Sequence, residues 1–186
     1  MKNVLLAISG PSGVGKGTIK KELMRRRPDV VESISCTTRL PREGEAHGRE
    51  YFFISHEEFK SRIEQGDFLE YDEHFGNFYG TPKSFVEKTL RDKSVILEID
   101  VVGALNAKKE FPDCLLIMVV PPSVEELKKR LMGRNSETET EIQTRLDRLN
   151  YELSLKDKYD YIVVNETVDG AVEEIISIID EAKNKQ

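Results

Sequence analysis

Four short runs of apolar residues punctuate the chain, at Val4–Ile8, Val95–Ile99, Leu115–Val120 and Tyr161–Val164, each rich in Val, Ile and Leu and each followed by a helical pattern. A fifth candidate lies near Val30–Ile34. Because these runs are nearly continuous, not alternating, they predict strands buried on both faces, and strands separated by helices predict a parallel sheet covered on both sides. Helix signals agree. Ser123-x-x-Glu126 has the form of a capping box, with Val124, Leu127 and Leu131 then falling on one face. The final helix carries Val168, Val172, Ile175 and Ile179 at similar spacing. The fold class is α/β.

Between Ser35 and Ser94 the rhythm changes. Short alternating or aromatic segments appear at Tyr51–Ile54, Phe68–Glu73 and Phe78–Gly80, with helices expected to begin at Ser55 and near Pro82. Residues 35–93 therefore read as a small mixed, mostly antiparallel insertion into a core of residues 1–34 and 94–186. A polar interval runs from Gly133 to about Thr140, before Ile142, Leu146, Leu149 and Leu153 resume a helical stripe. A mobile lid is expected at about 133–145.

At 186 residues the chain fits one domain with an inserted subdomain. Its formal charge of −6, from 28 Lys and Arg against 34 Asp and Glu, argues against sequence-independent nucleic-acid binding, so any anion must be held locally. Only Cys36 and Cys114 are present, which suits neither a disulfide scaffold nor a zinc site. No run approaches a membrane span, and the first residues enter a strand pattern without the apolar segment of an export signal. A cytoplasmic protein is expected.

The candidate chemistry starts directly behind the first strand. In Gly10-Pro-Ser12-Gly13-Val14-Gly15-Lys16-Gly17-Thr18, the glycines let the backbone turn its N–H groups inward, and the helix N-terminus and the Lys16 ammonium complete a cradle for nucleotide phosphates. The GxxxxGK spacing is that of a P-loop. The residue after the lysine is Gly17, which moves the hydroxyl that usually assists Mg²⁺ to Thr18. Farther on, Arg39 and Arg42 stand three apart in a segment that Pro41 and Gly44 keep from being a helix. Two such forks suit a phosphate, although a solvated loop would also carry them.

These motifs, with Ser33–Glu45, Gly48-x-x-Tyr51-x-Phe53, Gly66-x-Phe68-x-Glu70, Asn77-x-Tyr79-Gly80-Thr81 and Tyr161-Ile-Val-Val-Asn165, follow in an order that resembles the guanylate kinase family over nearly the whole chain. The resemblance implies a P-loop core, an inserted domain for the nucleoside monophosphate and a lid over ATP. It assigns the GMP phosphate to Arg39, Arg42, Tyr51 and Tyr79, and the guanine to Ser35, Glu70, Thr81 and Asp100. The loop residues Gly10 to Thr18 would hold ATP, with Asn165 near the adenine, and Mg²⁺ would lie by Thr18 and, directly or through water, Glu98.

Base chemistry supports the guanine set independently. Guanine offers N1–H and a 2-amino group as adjacent donors to a carboxylate such as Glu70, whereas adenine has a lone pair at N1 and lacks the 2-amino group. A site built this way rejects the analogue lacking those groups by roughly 10⁴ to 10⁵. Alternatives stay open at several positions. Thr81-Pro82 also reads as an N-cap and first-turn pair, Tyr51 and Tyr79 as core aromatics, and Asn165 as an edge turn residue. Glu98 and Asp100 are expected to point to one face at the end of a strand. The family usually has Asp where Glu98 stands, and that acid could instead pair with Lys16 or a neighbouring arginine.

In the lid, the resemblance favours Arg134 and Arg145, then Arg130, as the groups that stabilise the transferring phosphoryl group. Arg148 reads as a solvated, salt-bridged helix face. His47, His56 and His74 lack metal spacing and read as incidental, since a phosphate acceptor with a second pKa of about 6 needs no general base. The implied partners are ATP with Mg²⁺ and GMP, with dGMP as well, and the implied state is a monomer or weak homodimer. A kinase for another monophosphate and a silent peptide-binding module of the same fold are the rival readings.

Overall fold

The computed structural model describes residues 2–74, 76–132 and 148–185, with the backbone alone at 130–132. Five parallel strands form the main sheet: β1 (Leu5–Ser9), β2 (Val30–Glu32), β7 (Ser94–Glu98), β8 (Leu115–Val120) and β9 (Tyr161–Val164), in the order β2-β7-β1-β8-β9. All five predicted strands are present. The second is shorter than its apolar pattern, ending at Glu32 instead of Ile34.

Alternation along each strand sorts the core into two layers. Leu6 and Ile8 of β1, with Ile96, Ile117 and Val119, meet Ile19 and Leu23 of helix α1 (Lys16–Arg26) and Val172, Ile175 and Ile179 of the last helix, α7 (Val168–Asn184). Leu5, Ala7, Val95, Leu97 and Leu116 face the other way. They pack on Val86 of α3 (Lys83–Leu90) and on Ala104 and Ala107 of α4 (Val101–Glu110). β1, β7 and β8 are thus apolar at consecutive positions because both of their faces are buried, whereas the edge strand β9 leaves Ile162 and Val164 exposed.

A second, four-stranded sheet has the order β4-β3-β6-β5, from β3 (Cys36–Thr37), β4 (Phe52–Phe53), β5 (Phe68–His74) and β6 (Asn77–Pro82). The β3–β4 pair is parallel and the other two pairs are antiparallel. Helix α2 (His56–Glu64) begins as expected behind Ser55, whose side chain accepts from the Glu58 N–H at 3.1 Å. Its Phe59 stacks on Phe68 at 4.3 Å and on Phe78 at 5.3 Å, giving this sheet its own aromatic core. Leu69 of β5 turns instead into the core of the main sheet, which ties the two sheets together.

Two local expectations are corrected. Helix α3 begins at Lys83 behind Pro82, so Thr81 lies in β6 and is not its N-cap. Asp67 takes over that task, accepting from the Lys83 N–H through its carbonyl at 2.7 Å and from the Ser84 N–H through its carboxylate at 3.1 Å. Asp100 likewise is not on a strand face: β7 stops at Glu98, and Asp100 is the N-cap of α4, accepting from the Gly103 N–H at 2.8 Å.

The capping box before α5 (Val124–Met132) holds, with Ser123 accepting from the Glu126 N–H at 3.1 Å. Leu127 of α5 packs on Leu149 and Leu153 of α6, helical over residues 148–154. The expected lid, with Arg134 and Arg145, lies outside the described residues, as does the side chain of Arg130. Among the described residues no helix is long and apolar enough to cross a membrane.

Candidate active site

The loop between β1 and α1 emerges at the carboxyl end of the central strand, where open α/β sheets bind ligands. Its shape depends on glycine. Gly10 has φ 137°, and a Cβ there would lie 2.1 Å from the Val119 carbonyl oxygen. Gly15, at φ 102°, is the left-handed N-cap of α1 and leaves room for Asn165 beneath it. Asn165 is 4% exposed and donates to the Val14 carbonyl at 2.7 Å. The residue assigned by resemblance to adenine therefore supports the loop itself.

Lys16 folds back over the loop and donates to the carbonyls of Gly10 at 2.5 Å and Pro11 at 3.1 Å. Burial pushes its pKa down from the ordinary lysine value, while the charges of Glu152 and Glu98 work against that fall. Behind the loop, the hydroxyls of Ser9 and Tyr159 are hydrogen-bonded, and burial pushes the Tyr159 phenol up to about 12. The strand end feeding the loop is thereby held by the segment that precedes β9.

Lys16 opens onto a cleft of about 630 Å³ lined also by Tyr51, Glu98, Asp100, Arg148 and Glu152. Among the described residues Glu98 is paired, but with neither Lys16 nor an arginine. Its partner is Lys20, one helical turn beyond Lys16, at 2.7 Å, and Lys20 also pairs with Glu32. Burial works against the Lys20 charge, but hydrogen bonds to both carboxylates outweigh it and hold its pKa above the usual lysine value. On the other side of the loop, Thr18 and Glu98 border one recess of about 390 Å³ with Gly15 and Lys16. Gly17 keeps that recess open: a Cβ there would stand 3.7 Å from the Glu98 carboxylate. A hydroxyl and a carboxylate beside a phosphate cradle are hard oxygen donors of the kind Mg²⁺ takes when phosphates supply much of its shell. Among the described residues no three His, Cys, Asp or Glu side chains converge as a metal cage.

Three acceptor-side residues meet around the start of α4. Thr81 donates to Glu70 Oε1 at 2.6 Å, and both Glu70 and Asp100 press on Gly103. A Cβ on Gly103 would lie 3.3 Å from Glu70 Cγ and 3.4 Å from Asp100 Oδ1. Burial pushes the Glu70 carboxyl above the usual carboxylate range, the Thr81 hydrogen bond opposes this, and the Asp100 charge adds to it. Thr81 is therefore a partner of the carboxylate, not a helix cap.

A second group that the resemblance assigns to the acceptor side gathers around Tyr51, which lines the cleft. The Arg39 guanidinium lies 5.6 Å from the Tyr51 ring centre, and Tyr51 meets Tyr79 edge-on at 5.9 Å. The two tyrosines pack against one another, and Tyr51 also lines the cleft, so for Tyr51 the core-aromatic and ligand readings are compatible. Arg39 pairs with Glu45 at 2.9 Å, and Glu45 also accepts from the Arg42 N–H at 2.8 Å. The Arg42 side chain is exposed. Ser35 adjoins β3, where its carbonyl accepts from the Phe52 N–H at 2.9 Å. Among the described residues no hydrogen bond or ion pair joins either residue to the Glu70–Thr81 pair.

Sequence reasoning missed Lys20, Glu152, Gly103 and the orientation of Arg148. Arg148 is salt-bridged as expected, yet it reaches into the cleft, with Nε 3.1 Å from Glu152 Oε1 and Nη2 3.2 Å from Asp100 Oδ2. Glu152 is 4% exposed. The spacing of Arg148 and Glu152, four apart on a helix, was the available signal. It says that they pair and not where they point.

A glycine-built phosphate cradle at the carboxyl end of the central strand of a parallel sheet defines a P-loop nucleotide-binding protein. The family model described as guanylate kinase matches residues 2–182. The chain is 50% identical over 179 residues to the guanylate kinase of Clostridium acetobutylicum, covering 96% of this chain and 85% of that protein. It is 47% identical over 180 residues to that of Thermotoga maritima, covering 96% and 87%. The crystal structure of guanylate kinase from Anaplasma phagocytophilum superposes with a TM-score of 0.71 at 32% identity, covering 97% of this chain and 86% of that one. The chain belongs to the guanylate kinase family.

Proposed function

We propose that the protein transfers the γ-phosphoryl group of MgATP to GMP, giving ADP and GDP. The observation that carries this reading is the shared cleft: Lys16 from the phosphate cradle and Tyr51 and Asp100 from the acceptor side line one cavity. A donor phosphate on the cradle and an acceptor held from the opposite rim can then meet in line, which is most of what phosphoryl transfer asks of a protein.

The loop amides from Gly10 to Thr18 and the Lys16 ammonium would take the ATP phosphates, Lys16 exchanging its present carbonyl partners for phosphate oxygens. Arg39, Arg42, Tyr51 and Tyr79 are assigned to the GMP phosphate. Glu45 now holds Arg39 as a phosphate would. Glu70, oriented by Thr81, would accept from guanine N1–H and the 2-amino group, with Asp100 and Ser35 completing the base site. Thr18 and Glu98 would hold Mg²⁺ together with phosphate oxygens, and the ion supplies neutralisation of the charge on those phosphates. Arg130, Arg134 and Arg145 are assigned to the phosphoryl group in transfer, and residues 35–93 to the acceptor nucleotide, on the resemblance. A monomer or weak homodimer in the cytoplasm completes the reading.

The test is ADP formation from ATP with GMP, AMP, UMP and CMP in parallel. GMP is expected to be used at least about 10³-fold more efficiently than AMP, because adenine leaves Glu70 without donors. Comparable turnover of AMP or a pyrimidine monophosphate rejects the guanine assignment.

A further inference from the structure

We infer that Arg148, held in place by Glu152, is an additional phosphate-contacting residue of this cleft, set between the acceptor and donor sides. The inference rests on the kinase reading above and concerns groups that reading does not use.

Glu152 is the unusual member of the pair. Its side chain is 5% exposed, Oε1 accepts from Arg148 Nε at 3.1 Å, and Oε2 is buried without a hydrogen-bond partner among the described residues. A carboxylate in such a place loses much of its solvation unless neighbouring charge offsets it, so it is poor material for stability alone. The cavity it lines also holds the cations Lys16, Lys20 and Arg148, together with the acids Glu32, Glu98 and Asp100.

Arg148 has the complementary geometry. The side chain is 59% exposed, yet its guanidinium is fastened at Nε to a buried acid while its Nη edge faces the cavity, where Nη2 meets Asp100 Oδ2 at 3.2 Å. A guanidinium anchored at Nε keeps a planar pair of terminal donors for two oxygens of one phosphate. Asp100 is the exchangeable partner. Its Oδ1 is committed to the Gly103 N–H at 2.8 Å, and its Oδ2 is the atom on Arg148. When guanine donors engage Asp100, Nη2 is released toward the phosphates while Glu152 keeps the arginine in the cleft. Glu152 is thus a positioning residue and acts through Arg148.

The experiment is steady-state kinetics of ADP formation from ATP and GMP, with calorimetric GMP binding and thermal melting. The proteins are the wild type, Arg148→Ala, Arg148→Lys, Glu152→Gln and the Arg148→Ala/Glu152→Gln double variant. Arg148→Ala is expected to lower kcat about 10²-fold, with KM for both nucleotides and GMP affinity within about threefold, and Arg148→Lys to recover part of the loss. Glu152→Gln is expected to lower kcat about tenfold in the wild-type background and to add nothing in the Arg148→Ala background. An Arg148→Ala kcat within about twofold of wild type overturns the inference, as does a loss confined to KM. Multiplying effects in the double variant overturn the positioning role of Glu152. If Glu152→Gln does not fold, the two Arg148 variants alone decide, since that side chain is largely exposed. A wild-type protein that makes no ADP with GMP removes the kinase reading instead, a result distinct from each of these.

Discussion

The two ends of the cleft are built on different principles. The phosphate end is one contiguous stretch of backbone, Gly10 to Thr18, whose conformation is set by positive φ at Gly10, Gly13 and Gly15 and whose one charged side chain is Lys16. The end proposed for the base is an assembly of side chains from distant segments: Glu70 from β5, with Thr81 of β6 on its carboxylate, and Asp100 from the cap of α4, the two acids meeting at Gly103. A phosphate needs many donors of one kind and loose register, which local backbone supplies. Discrimination between bases needs acceptors at set positions, which only packing between elements supplies.

Replacing Lys16 by Met attacks the phosphate end at its one irreplaceable side chain, and kcat is expected to fall by roughly 10³-fold or more. The melting temperature should stay near wild type, because among the described residues Lys16 hydrogen-bonds to loop carbonyls and is not part of either apolar layer. A stable variant with near-normal turnover breaks the comparison at its strongest point.

At the base end, Glu70→Gln replaces one of two acceptor oxygens by a donor. It is expected to lower kcat/KM for GMP by about 10²-fold while changing the value for AMP little. The same residue sets a pH dependence. Burial holds the Glu70 carboxyl above the usual carboxylate range, and base recognition needs it ionised, so GMP affinity falls as pH drops through that raised value. Calorimetry on wild type and Glu70→Gln separates this from titration of the GMP phosphate, which both proteins share. The acid limb that disappears in the variant belongs to Glu70. The contribution of Glu70 to stability of the ligand-free fold has the opposite sign. It is present in full below the ordinary carboxylate pKa and is lost as pH rises through the raised one.

A smaller effect probes packing alone. Gly103→Val places branched carbons where even a Cβ would stand 3.3 Å from Glu70 and 3.4 Å from Asp100. Displacing the two acids should cost about tenfold in kcat/KM for GMP and leave ATP binding unchanged, as measured by kinetics and by titration with a non-hydrolysable ATP analogue. Equal losses for both nucleotides would show that the two ends are not separable. The smallest expected change is at the underside of the phosphate loop. Asn165→Ala leaves the Val14 carbonyl without its 2.7 Å donor and should cost about 1 kcal/mol in denaturant unfolding.

The same division governs what could be read in advance. Val4–Ile8 and Leu115–Val120 announced buried parallel strands because a strand covered on both faces is apolar at consecutive positions, and the structure returns both within a residue. Ser55 announced α2 because a cap is a local bond. Thr81-Pro82 misled for a complementary reason. A threonine before a proline is a good cap in isolation, but in the fold Glu70 takes its hydroxyl and Asp67, fourteen residues earlier, does the capping. Glu98 was legible as an acid in need of a cation, and Lys20, not Lys16, is that cation.

By itself, then, the chain determined whatever depends on neighbours in sequence: five parallel strands, the glycine turn that makes a phosphate cradle, the lysine at its end and the inventory of acids and arginines. Tertiary structure alone decided which of those acids face one another. It put Glu70 and Asp100 against Gly103, turned Arg148 into the cleft and buried Glu152 beneath it. Backbone torsions and caps are fixed by energies acting over a few residues. The direction of a charged side chain is fixed by what packs against it from the far side of the fold.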